Sequence, residues 1–275
     1  MREDEIDVKA IDWNRVWRSR NAGRTSHGRD ERFWDGRASS FAKAASETQY
    51  AGRLLEIMKP EKDWTVLDMG CGSGVLAVPL AKSVFSVTAV DLSGEMLAIL
   101  RERCEDEGIE NVTTIRGRWE DDWQELGIGA HDVALASRSM VADDLAASVL
   151  KLQAAARKRV YVATIVGDGP YDRRIFEAIG RPLDLGPDYI YNYNMLYGMD
   201  ILANVAFIDE TRNRTYGSPE EAFLGMQWMF FDGLSGEEEE KLRAYIKENL
   251  VFRDERWGFS YNKAVRWAVM WWDKS

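Results

Sequence analysis

The chain has 275 residues, 45% of them hydrophobic and 30% charged, with 11 Trp and a formal net charge of −10, which suits a globular protein with a sizeable core and excludes collagen-like, coiled-coil and disordered readings. Two cysteines, Cys71 and Cys104, cannot build a disulfide framework, no Cys/His cluster has zinc-ligand spacing, and no apolar run reaches the roughly 18 residues of a membrane span. The acidic start Met1-Arg2-Glu3-Asp4-Glu5 lacks the basic-then-apolar profile of a secretory signal, so a cytoplasmic location is expected.

Residues 1–61 read as an N-terminal helical arm or lid. The first 60 residues carry 12 Lys and Arg against 10 Asp and Glu, so the negative excess lies beyond them. Seven arginines fall between Arg15 and Arg37, interleaved with Trp17, His27 and Trp34. They read either as a solvated arm whose Trp residues pack on the body or as a lid that touches ligand. A first helix through Trp13, Val16 and Trp17 breaks in the polar stretch Asn21 to Arg29. The apolar spacing of Phe41, Tyr50, Leu54, Leu55 and Met58, with Pro60 beyond, predicts a second helix over about 38–58.

Strands and helices then alternate. Thr65-Val66-Leu67-Asp68 predicts a strand, Met69 to Gly74 a glycine turn and Val75 to Ala81 a helix. Val87 to Asp91 is a second strand and Glu95 to Glu107 a second helix. Val112 to Ile115, Asp132 to Ser137 and Arg159 to Val166 supply three more strands, with a helix over about 143–157 before the last. This alternation predicts an α/β fold: a doubly wound, mostly parallel, seven-stranded sheet with helices on both faces, occupying 62–275. After Val166 the pattern loosens into a Pro- and Tyr-rich cover over about 167–200. Ile201 to Ile208 reads as a strand, a helical pair fills an insertion at about 217–252, and Ala264 to Trp272 reads as the last strand.

The sharpest signal is Asp68-x-Gly70-x-Gly72-x-Gly74 closing one strand, with Asp91 closing the next. A dinucleotide site needs Gly-x-Gly-x-x-Gly, and here the third glycine comes one position early. Asp68 beside the turn would repel a pyrophosphate and attract a cationic ligand. A carboxylate at Asp91 suits a pair of ribose hydroxyls, so the turn points to a cationic nucleoside.

On these residues the sequence resembles the class I S-adenosylmethionine-dependent methyltransferases over about residues 62–166. The resemblance implies S-adenosyl-L-methionine as cofactor and S-adenosyl-L-homocysteine as product. It places Asp68, Gly70, Cys71, Gly72 and Gly74 on the methionyl side, Asp91 on the ribose and Leu92 and Met96 along the adenine, and counts Ser137 among the cofactor-binding residues. The family commonly carries an acid in a Gly-Asp context after strand three. Here Gly117 is followed by Arg118-Trp119-Glu120-Asp121, so Trp119 and Glu120 together are assigned to adenine, with core packing the competing role for Trp119.

Cys71 lies inside the turn without a histidine to activate it and reads as packing. His131, just before strand four, reads as structural. No metal ligand set is visible and no catalytic base stands out; His27, Tyr191 and Arg138 are the candidates. The segment Ser137 to Asp144 lacks the Asn/Asp-Pro-Pro-aromatic signature of exocyclic amine methylation, and the negative charge argues against nucleic acid. The expected acceptor is therefore a small molecule of apolar or aromatic character. Tyr189, Tyr191 and Tyr193 would form a pocket wall or simply pack the cover, and Arg138 would meet an acceptor carboxylate. An RNA or protein acceptor and a non-catalytic cofactor-binding module are the alternatives, and a homodimer is compatible with the sequence.

Overall fold

The computed structural model describes residues 7–22, 30–46 and 48–274. The chain opens on a single 3-10 turn, Val8–Ala10, and then α1 (Trp13–Asn21), capped by the Asp12 carboxylate on the Arg15 N–H. Next comes α2 (Glu31–Ser46), where Asp30 accepts from the Phe33 N–H at 3.0 Å, and then α3 (Tyr50–Met58). The single helix expected over 38–58 is thus two helices. The break precedes Tyr50, where Gln49 makes no side-chain cap and the sequence holds neither Gly nor Pro to announce it.

The alternating region follows the predicted order. It runs β1 (Thr65–Met69), α4 (Ala77–Ala81), β2 (Ser86–Asp91), α5 (Gly94–Asp106), β3 (Val112–Arg116), β4 (His131–Ser137), α6 (Leu145–Ala155) and β5 (Ala156–Val166). Each long helix starts on a sequence-encoded cap: Ser93 on the Met96 N–H and Asp144 on the Ala147 N–H. The remainder is α7 (Arg173–Ile179), α8 (Tyr189–Gly198), β6 (Asn204–Arg212), β7 (Thr215–Tyr216), α9 (Pro219–Met226), α10 (Gly236–Asn249), β8 (Leu250–Arg253), β9 (Arg256–Phe259) and β10 (Lys263–Asp273). Within the cover expected at 167–200, Tyr189–Gly198 is a regular helix begun by Asp188.

Seven strands form one mostly parallel sheet in the order β3-β2-β1-β4-β5-β10-β6. The pairs β1–β2, β1–β4, β2–β3 and β4–β5 are parallel, with Asp68 opposite Ala89 and Leu135. The strand order reverses between β1 and β4. In open α/β sheets the crevice outside the carboxyl ends at that reversal is where ligands bind, and Asp68, Asp91 and Ser137 all sit at those ends.

The chain divides into two compact units. The first comprises 1–164, 187–208 and 267–275; the second comprises 165–186 and 209–266. The first unit is built on the sheet, with Leu67, Leu135, Leu145 and Leu152 among its fully buried side chains. There α1 is seated by Trp17 Nε1, which donates to Ala142 O at 2.9 Å, and by Asn14, bonded to Asp144 at 3.0 Å. The second unit has a core of its own, including Phe176, Phe223, Leu242 and Ile246. It contains the expected helical pair, α9 and α10, and also a small antiparallel sheet in the order β7-β9-β8, so it starts and ends outside the predicted 217–252.

Candidate functional site

Asp68, one residue before the end of β1, has 2% of its surface exposed, and its Oδ2 has no hydrogen-bond partner among the described residues. Burial, and next the neighbouring Asp91 carboxylate, push its pKa up to about 7, while Arg138 pulls the other way. A buried unpaired acceptor of this kind costs about 1–3 kcal/mol, more when charged. An incoming ammonium group would relieve that cost.

The turn after Asp68 is fixed by backbone hydrogen bonds and tight packing. Gly70 and Cys71 donate their N–H groups to Val90 O at 2.7 and 3.0 Å, locking the turn across β2. Gly70 has φ +74°, and a Cβ there would lie 2.3 Å from Ser139 Cβ, so only glycine fits. At Gly72 (φ +54°) an added Cβ would meet only Phe41 Cε1 at 3.4 Å and Met96 Sδ at 3.9 Å, which leaves bare backbone for close approach.

Asp91 accepts from the Gly72 N–H (2.8 Å) through Oδ2 and from the Ser93 N–H (2.9 Å) through Oδ1. Burial raises its pKa and those N–H groups oppose the rise. An ionised carboxylate has about four acceptor positions, so both oxygens keep capacity for hydroxyl donors. Leu92 follows it, half-buried. Met96 is buried on the first turn of α5, its N–H capped by Ser93.

On the far side of the switch point, Ser137 Oγ lies 2.6 Å from Tyr50 OH. Arg138 adopts a left-handed conformation (φ +61°). Its guanidinium lies 4.2 Å from the centroid of the Tyr50 ring and 5.1 Å from that of Trp267. Ser139 Oγ donates to Met69 O at 2.5 Å, and Ser139 O accepts from Trp119 Nε1 at 2.9 Å. Trp119 therefore ties the loop after β3 to the glycine turn. It is itself 8% exposed and packs against Trp123 at 5.6 Å. Glu120 is exposed.

Over this crevice runs α2. Asp35 accepts from Ser93 Oγ (2.6 Å) and from the Glu95 N–H (3.3 Å), while Glu31 pairs with Arg116 and Arg118. Sequence reasoning named Phe41 and Tyr50 only as apolar helix positions. It missed Asp35, whose partners sit far along the chain.

Of the other candidates, Cys71 is buried, and burial with the two carboxylates raises its thiol well above the usual range, so it is no thiolate nucleophile. His131 bonds Thr88 Oγ1 and Gly129 O at the amino end of β4, away from the crevice. Tyr191 meets Trp13 edge-on at 6.3 Å. His27 lies outside the described residues. Among those residues no cluster of His, Cys, Asp or Glu could hold a metal ion, and no helix is long and apolar enough to cross a membrane.

An orphaned acid beside an open glycine turn, a second acid with spare acceptor capacity one strand over, and a sheet reversing between them fit a cationic nucleoside, which is the arrangement of a Rossmann-like methyltransferase. The chain belongs to the class I S-adenosylmethionine-dependent methyltransferases: a family profile for the methyltransferase domain matches residues 66–160. A Haemophilus influenzae protein described as uncharacterised is 35% identical over 243 residues, covering 87% of this chain and 88% of its own. Human glycine N-methyltransferase is 35% identical over 95 residues, 32% of either chain. A crystallised candidate methyltransferase from Bacillus halodurans C-125 shares the fold, with a TM-score of 0.53 at 15% identity over 82% of this chain and 99% of that one. The cofactor is S-adenosyl-L-methionine.

Proposed function

We propose that this enzyme methylates a small molecule of apolar or aromatic character, with Arg138 meeting an acidic group on it. The observation that carries this reading is the Arg138 head group. It lies against Tyr50 and Trp267 at the carboxyl end of β4, and among the described residues it is in no ion pair, although its charge reaches the Asp68 carboxylate. The rings themselves are buried, Tyr50 at 0% and Trp267 at 4% exposure, so they back the half-buried guanidinium and fix its direction, which favours an acceptor with an anionic end.

The cofactor, when bound, supplies a methyl group activated on a sulfonium for in-line displacement. The protein's share is alignment and exclusion of water. Asp68 would hold the methionyl ammonium, the side-chain-free backbone of the glycine turn from Gly70 to Gly74 would allow its close approach, and Asp91 would hold the ribose hydroxyls. Leu92 and Met96 would flank the base. Trp119 supports the site through Ser139, and Ser137 through Tyr50. We assign α2 the part of a cover, since Phe41 lies over Gly72 and Asp35 and Glu31 fasten the helix on either side.

A macromolecular acceptor is less well supported. Arg18 of the arm is paired with Asp144, and Arg37 lies over Phe33 and Trp34, so these arginines already have partners.

Methyl-labelled cofactor should deliver label to the small-molecule fraction of a mixture of aromatic and aliphatic acids, amines and phenols. Arg138→Met should raise KM for acidic acceptors about tenfold or more with kcat less affected. Label found only on RNA or protein would refute the reading.

A further inference from the structure

The second unit contains a cavity of about 80 Å³ that plays no part in the site described above. That is room for several waters or for one ring-sized group in their place. Tyr216, Trp228, Met229 and Phe259 form an apolar wall, and three cations border it: Arg212, Arg214 and Lys263.

The charges in this cavity do not balance. Arg212 is held by Glu210 at 3.1 Å. Asp172, the one acid in the lining, caps α7 and is gripped by Arg174 through two 2.9 Å bonds, with that guanidinium 3.4 Å over the Tyr261 ring. Asp168 is gripped by Arg173 in the same way. The two carboxylates that act on Lys263 are thus already occupied by arginines. Among the described residues neither Lys263 nor Arg214 has an ion-pair partner. Both are half-buried, and burial lowers the Lys263 pKa; Asp172 and Asp168 oppose the fall, and Arg174 and Arg173 add to it. A half-buried ammonium without a counter-charge is unfavourable until an anion arrives. The larger cavity of the same unit, about 180 Å³, differs: its Arg243 is shared between Glu220 and Glu239, and its other cation, Lys247, is exposed to solvent.

We propose that this cavity is a second ligand site for a small molecule with a single carboxylate on a flat or branched apolar body. Lys263 and Arg214 hold the carboxylate, and the rings receive the body. The proposal stands apart from the acceptor reading, since it uses none of the residues placed in the methyl-transfer crevice.

The test is fluorine NMR on the full chain with 4-fluorophenylacetate as probe. Saturable binding is expected, weakened tenfold or more by Lys263→Met and unchanged by S-adenosyl-L-homocysteine or by Arg138→Met. The matched cation 4-fluorophenethylamine should not bind. The double variant Lys263→Glu, Arg214→Gln should reverse that preference, which keeps the result readable even if one variant is less stable. Binding that is absent, indifferent to Lys263→Met, shared equally by the amine, or matched in strength by inorganic phosphate would overturn the proposal. Displacement by S-adenosyl-L-homocysteine, or loss in Arg138→Met, would also overturn it by locating the probe in the other crevice.

Discussion

Asp68 is the residue on which the proposed cofactor site most depends, and its burial makes it testable by pH. Its native pKa of about 7 lies above the unfolded value near 4. Between those values the folded protein binds more protons than the unfolded chain, so this group makes stability fall as pH rises from about 4 to 7. Cofactor binding has the opposite sign, because an ammonium needs the carboxylate form. Affinity for S-adenosyl-L-homocysteine should therefore rise as pH climbs through about 7, with proton release below it, as calorimetry in buffers of different ionisation enthalpy would show. Asp68→Asn should weaken binding and flatten that profile; a profile unchanged in the variant would remove Asp68 from the site. Gly70 gives a steric counterpart. Ala there would place its Cβ against Ser139 in a left-handed backbone, so a loss of about 1–3 kcal/mol in stability is expected, with cofactor binding reduced alongside. Gly36, where an added Cβ meets nothing within 4 Å, is the control, and Gly36→Ala should not destabilise the protein.

Among the elements, α2 is where sequence and structure differ most usefully. Glu31 is 29% exposed and its arginine partners about half exposed, and surface ion pairs contribute roughly 0–1 kcal/mol each. The more buried fastening is Asp35 on Ser93 Oγ and the start of α5. If α2 covers the cofactor, Asp35→Ala should speed S-adenosyl-L-homocysteine release several-fold in stopped flow while shifting the melting temperature little; an unchanged release rate would take the cover role away. None of this was legible in the sequence, because helix periodicity reports which face is apolar and not which distant carboxylate will meet it. Glycine spacing and strand-end acids, by contrast, encode backbone conformation and charge locally, so β1, β2 and the turn between them could be read directly. Helix α8 escaped because Tyr-Ile-Tyr-Asn-Tyr-Asn-Met-Leu-Tyr has no amphipathic stripe. Its only local sign was Pro187-Asp188, a break followed by a cap. The three short strands of the second unit are two to four residues long, too brief for period-two alternation to stand out.

At the scale of the molecule, the chain leaves its sheet-based unit twice and returns twice, and the two cores share no buried residue. Every residue assigned to the cofactor, from Asp68 to Ser137, lies in the first unit. Destabilising the second unit from within should then leave cofactor binding intact even after that unit unfolds. Leu242, fully buried on α10, is the lever: Leu242→Ala removes a large side chain from a packed core and should cost about 2–5 kcal/mol. A ligand that binds only one folded unit stabilises that unit alone, by about 2.7 kcal/mol at a hundred times its Kd. In urea, the variant should therefore show an early transition that S-adenosyl-L-homocysteine does not move and a later one that it does. Leu135→Ala, in the fully buried middle of β4, should instead lower the ligand-sensitive transition. One transition that shifts as a whole with ligand in both variants would mean that the units unfold as a single cooperative body.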